Sequence, residues 1–151
     1  MVTKIISGAQ TGADQGGLYG AEDAGLDTGG YVPLNRRTEA GPLSMELFRR
    51  WKLRETRIWG YNHRTEKNVA ESDGTVIFGD LRSPGSISTM KFCDKWHKHY
   101  IGNPVSPEAL AQWCKEHNIS VLNVAGNRES KNPGICVRVR TFIGAAFRRA
   151  A

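Results

Sequence analysis

Short apolar runs alternate with stripes at helical spacing along this chain. Residues 2–7 carry β-branched residues and are bounded by a glycine, and predict a strand. Residues 12–24 follow with Leu18, Ala21 and Ala24 on one helical face and Gly25 as a stop. Residues 26–32 predict a second strand, weakened by Gly29 and Gly30, which point to close backbone approach. Residues 33–60 show no sustained period and read as a long ordered loop, a kind of segment that usually carries function.

The alternation then resumes. Residues 62–72 predict a helix, and residues 74–78 a strand apolar on both faces and so central in a sheet. A turn at residues 80–85 precedes a helix capped by Ser86, with Ile87, Met90 and Phe92 partly inward. Residues 100–105 give a very short strand. Ser106-Pro107 then caps a helix that carries Leu110, Trp113, Cys114 and His117 on one face. Residues 119–124 form the last strand. Asn132-Pro133 opens a final helix with a stripe of Ile135, Val139, Phe142, Ile143 and Ala146, and Arg148 and Arg149 stand at its negative dipole end. Alternating strands and helices imply parallel strands joined by right-handed crossovers, a three-layer α/β/α fold. Ligands of such sheets bind at the carboxyl ends of the strands, so the turns after Ser7, Phe78 and Val124 are expected to converge on one rim.

At 151 residues and 39% hydrophobic content, one domain is the expectation. No apolar stretch approaches the ~18 residues that span a bilayer, and the start of the chain does not read as a signal peptide. Cys93, Cys114 and Cys136 make neither a disulfide framework nor a zinc knuckle, which fits a reducing cytoplasm. The net charge of +6 is concentrated: residues 31–68 hold nine Lys or Arg against four Glu, so this segment should face something negative. With no nucleic-acid recognition motif, a small phosphorylated molecule is the preferred partner.

The chemistry gathers on the expected rim. Ser7-Gly8-Ala9-Gln10-Thr11-Gly12 joins glycines, two polar side chains and a helix N-terminus, the ingredients of an anion site, although it is neither the dinucleotide fingerprint nor the Walker motif. Glycines serving tight packing alone are the competing reading. Arg82-Ser83-Pro84-Gly85-Ser86 leads into a second helix start, which would set Pro84, Gly85 and Ser86 opposite the first turn or be an ordinary connection. The third turn, residues 123–130, supplies Arg128, suited to bidentate phosphate contact. Trp51 and Trp59 flank the basic loop, for stacking on a heterocycle or for packing. Ser88-Thr89-Met90-Lys91 spells S-x-x-K by chance spacing. His97 and His99 diverge on a helix, and Cys93 with His97 lacks an orienting third group, so neither pair is assigned chemistry.

Several motifs occur in order: S-G-A-Q-T-G-A-D, P-L-N-R-R, G-P-L, L-R-E-T, H-R-T-E-K-N-V-A-E-S-D-G-T and N-V-A-G-N-R-E-S-K-N-P-G-I. Across nearly the whole chain they resemble the molybdenum carrier family. The resemblance implies a Rossmann-like fold, of the superfamily that also holds the lysine-decarboxylase-like cytokinin-activating proteins and the DNA-processing protein DprA. It further implies a homo-oligomer, dimeric or tetrameric. In the algal members it implies storage or transfer of molybdenum cofactor (molybdopterin), an anionic pterin bearing a phosphate. Matched residue by residue, it assigns the ligand to Gly8, Gln10, Thr11, Gly12 and Asp14, with Ala9 between them, then Arg36 and Arg37, then Arg64, Thr65 and Asn68, and finally Gly126, Arg128, Glu129 and Ser130. Three features depart from the family pattern, one of them the segment from Lys98 to Val105, which is shorter than a full strand and turn. Gln15 stands where Arg is usual, and Pro84-Gly85-Ser86 where Gly-Gly-Thr is usual.

The phosphoribohydrolases of the wider superfamily carry P-G-G-x-G-T-x-x-E, whose Glu does acid-base work. The segment from Pro84 to Met90 offers no such carboxylate. The expectation is therefore a binding protein with no assigned catalytic or metal-ligating residue. A nucleotide or ADP-ribose-type signal is the alternative ligand, and nucleoside monophosphate cleavage the enzymatic alternative.

Overall fold

The computed structural model describes residues 1–58 and 60–148; Trp59 and Arg149 lie outside them. Chain order runs β1 (Lys4–Ile6), α1 (Ala13–Ala24), β2 (Asp27–Gly29), β3 (Tyr31–Val32), a 3₁₀ turn (Leu34–Arg36), β4 (Arg37–Thr38), β5 (Gly41–Pro42), α2 (Met45–Arg50), β6 (Arg54–Glu55) and α3 (Tyr61–Glu71). It continues with β7 (Gly74–Phe78), α4 (Pro84–Lys95), β8 (His99–Gly102), α5 (Pro107–Glu116), β9 (Val121–Gly126), a second 3₁₀ turn (Glu129–Lys131) and α6 (Ile135–Phe147). No helix among the described residues is long and apolar enough to cross a membrane.

Five strands form one parallel sheet in the order β2-β1-β9-β7-β8. Ile5 lies beside Leu122, and Val76 beside Val124. Their side chains enter one core with Ala21 and Ala24 of α1, Leu110 and Cys114 of α5, and Val139 and Ile143 of α6. Thr75 and Asn123, also in register, face the other way and bond each other in the interior at 3.2 Å. Helices α3 and α4 pack together on that second face, so the molecule has three layers. β7 is buried along its whole length and flanked on both sides, as its apolar run predicted, but the middle strand is β9.

The strand order carries a message about connectivity. Counted from β9, then β1, β2, β7 and β8, it becomes 3-2-1-4-5, the order of the doubly wound dinucleotide folds. The fold is thus Rossmann-like, with the strand and helix that would open it placed last in the chain. The topological switch point falls between β9 and β7, whose following helices α6 and α4 leave to opposite faces.

Two predicted elements differ in the structure. The single strand expected over residues 26–32 is broken at Gly30: β2 joins the main sheet, while β3 pairs with β6 in a separate ribbon. A Cβ on Gly30 would stand 2.2 Å from the Ser7 carbonyl, and its φ is +128°, so backbone proximity decides the break. The segment expected as loop over residues 33–60 instead contains a hairpin, α2 and its own core. Ser44 caps α2 by accepting from the Leu47 amide at 3.2 Å. Trp51 is fully buried, edge-on to Tyr19 at 4.8 Å, among Ala9, Leu18, Val32, Leu43 and Leu53. Stacking of Trp51 on a ligand is thereby excluded.

Smaller adjustments follow capping rules. Ser83, not Ser86, caps α4, with Pro84 in the first turn. The buried face of that helix is Ser86, Thr89 and Cys93, and Ile87 is exposed.

Candidate anion-binding site

The three turns do meet at the carboxyl edge of the sheet, with the β9 turn in the middle. Asn127 is its hinge-pin: its carbonyl accepts from the Ala13 amide at 3.0 Å, and its side-chain oxygen accepts from the Asp80 amide at 2.7 Å. Its amide nitrogen donates to Ser83 Oγ at 3.3 Å. Gly12 packs on the Asn127 carbonyl, and Gly126 on the Phe78 backbone. Pro84, Gly85 and Ser86 form the first turn of α4 on the opposite face, and Asn127 links the turn that precedes them, through Asp80 and Ser83, to the start of α1.

The amides of the glycine-rich turn point largely into the protein. Ala9 donates to Ser7 Oγ at 3.1 Å, Gln10 to Asp14 at 3.3 Å, and Thr11 to the Gln10 side chain at 3.0 Å. Gln15, the departure from the family pattern, anchors the Ala9 carbonyl at 3.1 Å. Glu129 caps α6, accepting from the amides of Gly134 at 2.5 Å and Cys136 at 3.1 Å. Donors that converge on an anion come instead from side chains and the third turn. Thr11 Oγ1 donates to Glu39, as do Ser130 Oγ at 2.5 Å and the Ser130 amide at 3.1 Å. Arg128 Nε stands 3.7 Å from the same carboxylate. The Glu129 amide fixes Thr11 Oγ1 from behind at 3.2 Å. Burial works against ionisation of Glu39, but the bonds from Ser130 and Thr11, with the Arg128 charge, outweigh it and hold the carboxyl below its usual range.

A second basic group adjoins this cluster. The Arg64 guanidinium lies directly over Gly8, where any Cβ would meet it at 2.2 Å, and pairs with buried Asp14 at 3.3 Å. Burial dominates the titration of Asp14 and raises it from 3.8 to about 6, with Arg64 and the Gln10 amide pulling the other way. The Arg64 Nε is buried without a hydrogen-bond partner. Arg37 and Arg64 flank the Tyr61 ring at 4.4 and 5.5 Å.

Other residues matched by sequence serve the fold. Arg36 Nε bonds the Leu43 carbonyl at 2.9 Å, Thr65 bonds back to Tyr61 at 3.0 Å within α3, and Asn68 holds both backbone groups of Tyr31 at 2.8 and 3.0 Å. Sequence reasoning missed Glu39, Asn127, Asn103 and Arg138. A glutamate inside a basic run was the available signal for Glu39. Beside the turns a cavity of about 290 Å³ is lined by Phe78, Asn103, Asn132, Ile135, Arg138 and Phe142, and it does not include Thr11, Arg128 or Ser130. Among the described residues no cluster of three or more His, Cys, Asp or Glu has metal-binding geometry.

This arrangement defines an α/β protein with a polar, anion-accepting rim at a permuted switch point. The chain belongs to the circularly permutated YpsA SLOG family, which it matches over residues 5–147. It is also similar to a crystal structure from Syntrophus aciditrophicus SB described as a "putative molybdenum carrier protein", with 36% identity, 98% of this chain and 96% of that chain covered, and a TM-score of 0.84. Among curated proteins no match is found.

Proposed function

We propose that this chain binds an anionic, phosphorylated heterocycle and holds or transfers it without turnover, with molybdenum cofactor as the leading ligand. The carrying observation is the set of donors from Thr11, Ser130 and Arg128 already closed around a carboxylate, which is the environment a phosphate group requires. Arg64, over Gly8 and paired with Asp14, adds a basic group to the first turn, with Arg37 against the same Tyr61 ring. The cavity next to the β9 turn, with Phe78 and Phe142 in its lining, has the apolar character a planar ring fills. The molybdenum carrier description of the similar Syntrophus protein supports the choice of ligand. Three free cysteines agree with a cytoplasmic setting, and a homo-oligomer is the assembly the family resemblance implies.

A nucleotide-type ligand is the second reading. The strand order favours it, because the β9 turn stands where sheets of this kind hold pyrophosphate.

The test is mass spectrometry of material released on denaturing freshly purified protein, followed by calorimetry with the compound found. A pterin phosphate supports the first reading and a nucleotide the second, while release of neither, with no binding of either, refutes both. Arg128→Ala is expected to weaken binding by about 1.5 to 3 kcal/mol through loss of charge-assisted bonds. Unchanged affinity removes Arg128 from the site.

A further inference from the structure

The cluster at Thr11, Ser130 and Arg128 is built to receive an oxyanion, yet the group it holds is a side chain of the same protein. Glu39 sits at the tip of the β4–β5 hairpin, and its own amide donates to the Gln10 side chain at 2.9 Å. Its side chain is only 18% exposed, although the hairpin tip around it is open. Two hydroxyls and one amide satisfy the two carboxylate oxygens, while Arg128 remains at ion-pair distance, beyond hydrogen-bonding range.

We propose that Glu39 is a tethered competitor for the oxyanion receptor and sets its selectivity, so that dianionic phosphate-type groups displace it while monocarboxylates do not. The inference rests on the reading of this rim as the ligand site and names the group that a ligand must displace there. A side chain on a short tether competes at an effective concentration of about millimolar or more. A free carboxylate offers the same charge and the same two acceptors, so it gains nothing over Glu39. A phosphate monoester brings about −1.5 to −2 charges and three acceptor oxygens. Two of these replace the Glu39 oxygens, and the third meets the guanidinium that Glu39 leaves at 3.7 Å. The turn is held by the Thr38 hydroxyl, which donates to Gly41 at 2.5 Å and accepts from Ala40 at 3.1 Å, and its tip by the Glu39 amide on Gln10, so displacement asks for rotation of the Glu39 side chain and not for opening of the hairpin.

The experiment is calorimetric titration of the full chain and its Glu39→Gln and Glu39→Ala variants with inorganic phosphate and with acetate, with melting midpoints read on the same samples. Removing the competing charge is expected to tighten phosphate binding by about tenfold or more in both variants. Acetate is expected to bind Glu39→Ala and not the parent. Equal or weaker phosphate affinity in the variants overturns the proposal, as does failure of all three proteins to bind phosphate. If Glu39→Ala does not fold, Glu39→Gln, which keeps an acceptor oxygen, decides the question. The outcome is separable from the cofactor reading. Tightened phosphate binding in protein that neither carries nor binds a pterin upholds Glu39 and refutes that ligand, whereas a bound pterin with unchanged phosphate affinity does the reverse.

Discussion

Buried against the Gln10 amide and the Arg64 guanidinium, the Asp14 carboxyl carries a cost that the folded protein meets only in part. The charged form is desolvated, and a single ion pair with one amide bond does not restore what water would give. Its pKa is therefore about 6 in the folded chain against an ordinary 3.8. Between those two values the folded state keeps a proton that the unfolded state releases. The contribution of Asp14 to stability is thus greatest below about pH 4 and is lost as the pH rises through 6, a difference of about 3 kcal/mol. Asp14→Asn is expected to remove this slope. Urea unfolding at pH 4.5 and pH 7 measures it: relative to the parent, the variant should fare better at pH 7 than at pH 4.5. Equal pH dependence in both proteins would show that Asp14 titrates normally.

At the scale of elements, what was legible depended on whether a segment's signal was local. The apolar runs of β7 and β9 and the Ser106-Pro107 cap of α5 announced themselves, because period and capping chemistry are written in adjacent residues. The break at Gly30 and the burial of Trp51 depend on groups distant in sequence, the Ser7 carbonyl and the Tyr19 ring, and no local pattern encodes those. The site followed the same division. The glycine-rich turn was visible, but which way its amides point was not. The receptor was assembled from Thr11, Glu39 and Ser130, whose partners lie 28 and 91 positions apart in the chain. The segment over residues 31–58 then has a testable energetic identity as a small second core. Trp51→Ala should cost about 3 to 5 kcal/mol. Its indole N–H is buried without a hydrogen-bond partner, so Trp51→Phe discards a desolvated donor and should cost only about 1 to 2 kcal/mol. Urea midpoints of the two variants give the comparison, and a Phe variant as unstable as the Ala variant would mean the N–H is satisfied in solution.

The whole molecule raises a question of order in the chain as against order in space. β9 lies parallel to β1, and α6 packs with α1 on the same face, so β9, α6 and β1 make a right-handed crossover unit in space. No peptide connects its last two members. Both flanking points nevertheless lie at the amino edge of the sheet. Arg148, beyond α6, is close enough to Asp23 at the end of α1 to help lower its pKa, and the amino terminus is close enough to Cys114 to act on its thiol. A chain that joins its two ends by a short glycine-rich linker and is opened at the exposed turn around Asn118 would begin at β9 and carry its strands in the spatial order 3-2-1-4-5 without altering any layer. Folding should survive the change, because packing of the three layers, and not the position of the chain ends, holds the sheet together. Breaking the short α5–β9 connection makes that contact less local, while closing β9–α6–β1 makes another more so, leaving the balance of local and distant contacts nearly unchanged. The expected result is a far-UV circular dichroism spectrum that overlays the parent and a single cooperative melt. A rearranged chain that is soluble but melts without cooperativity would show instead that the α5–β9 connection is required to close the core.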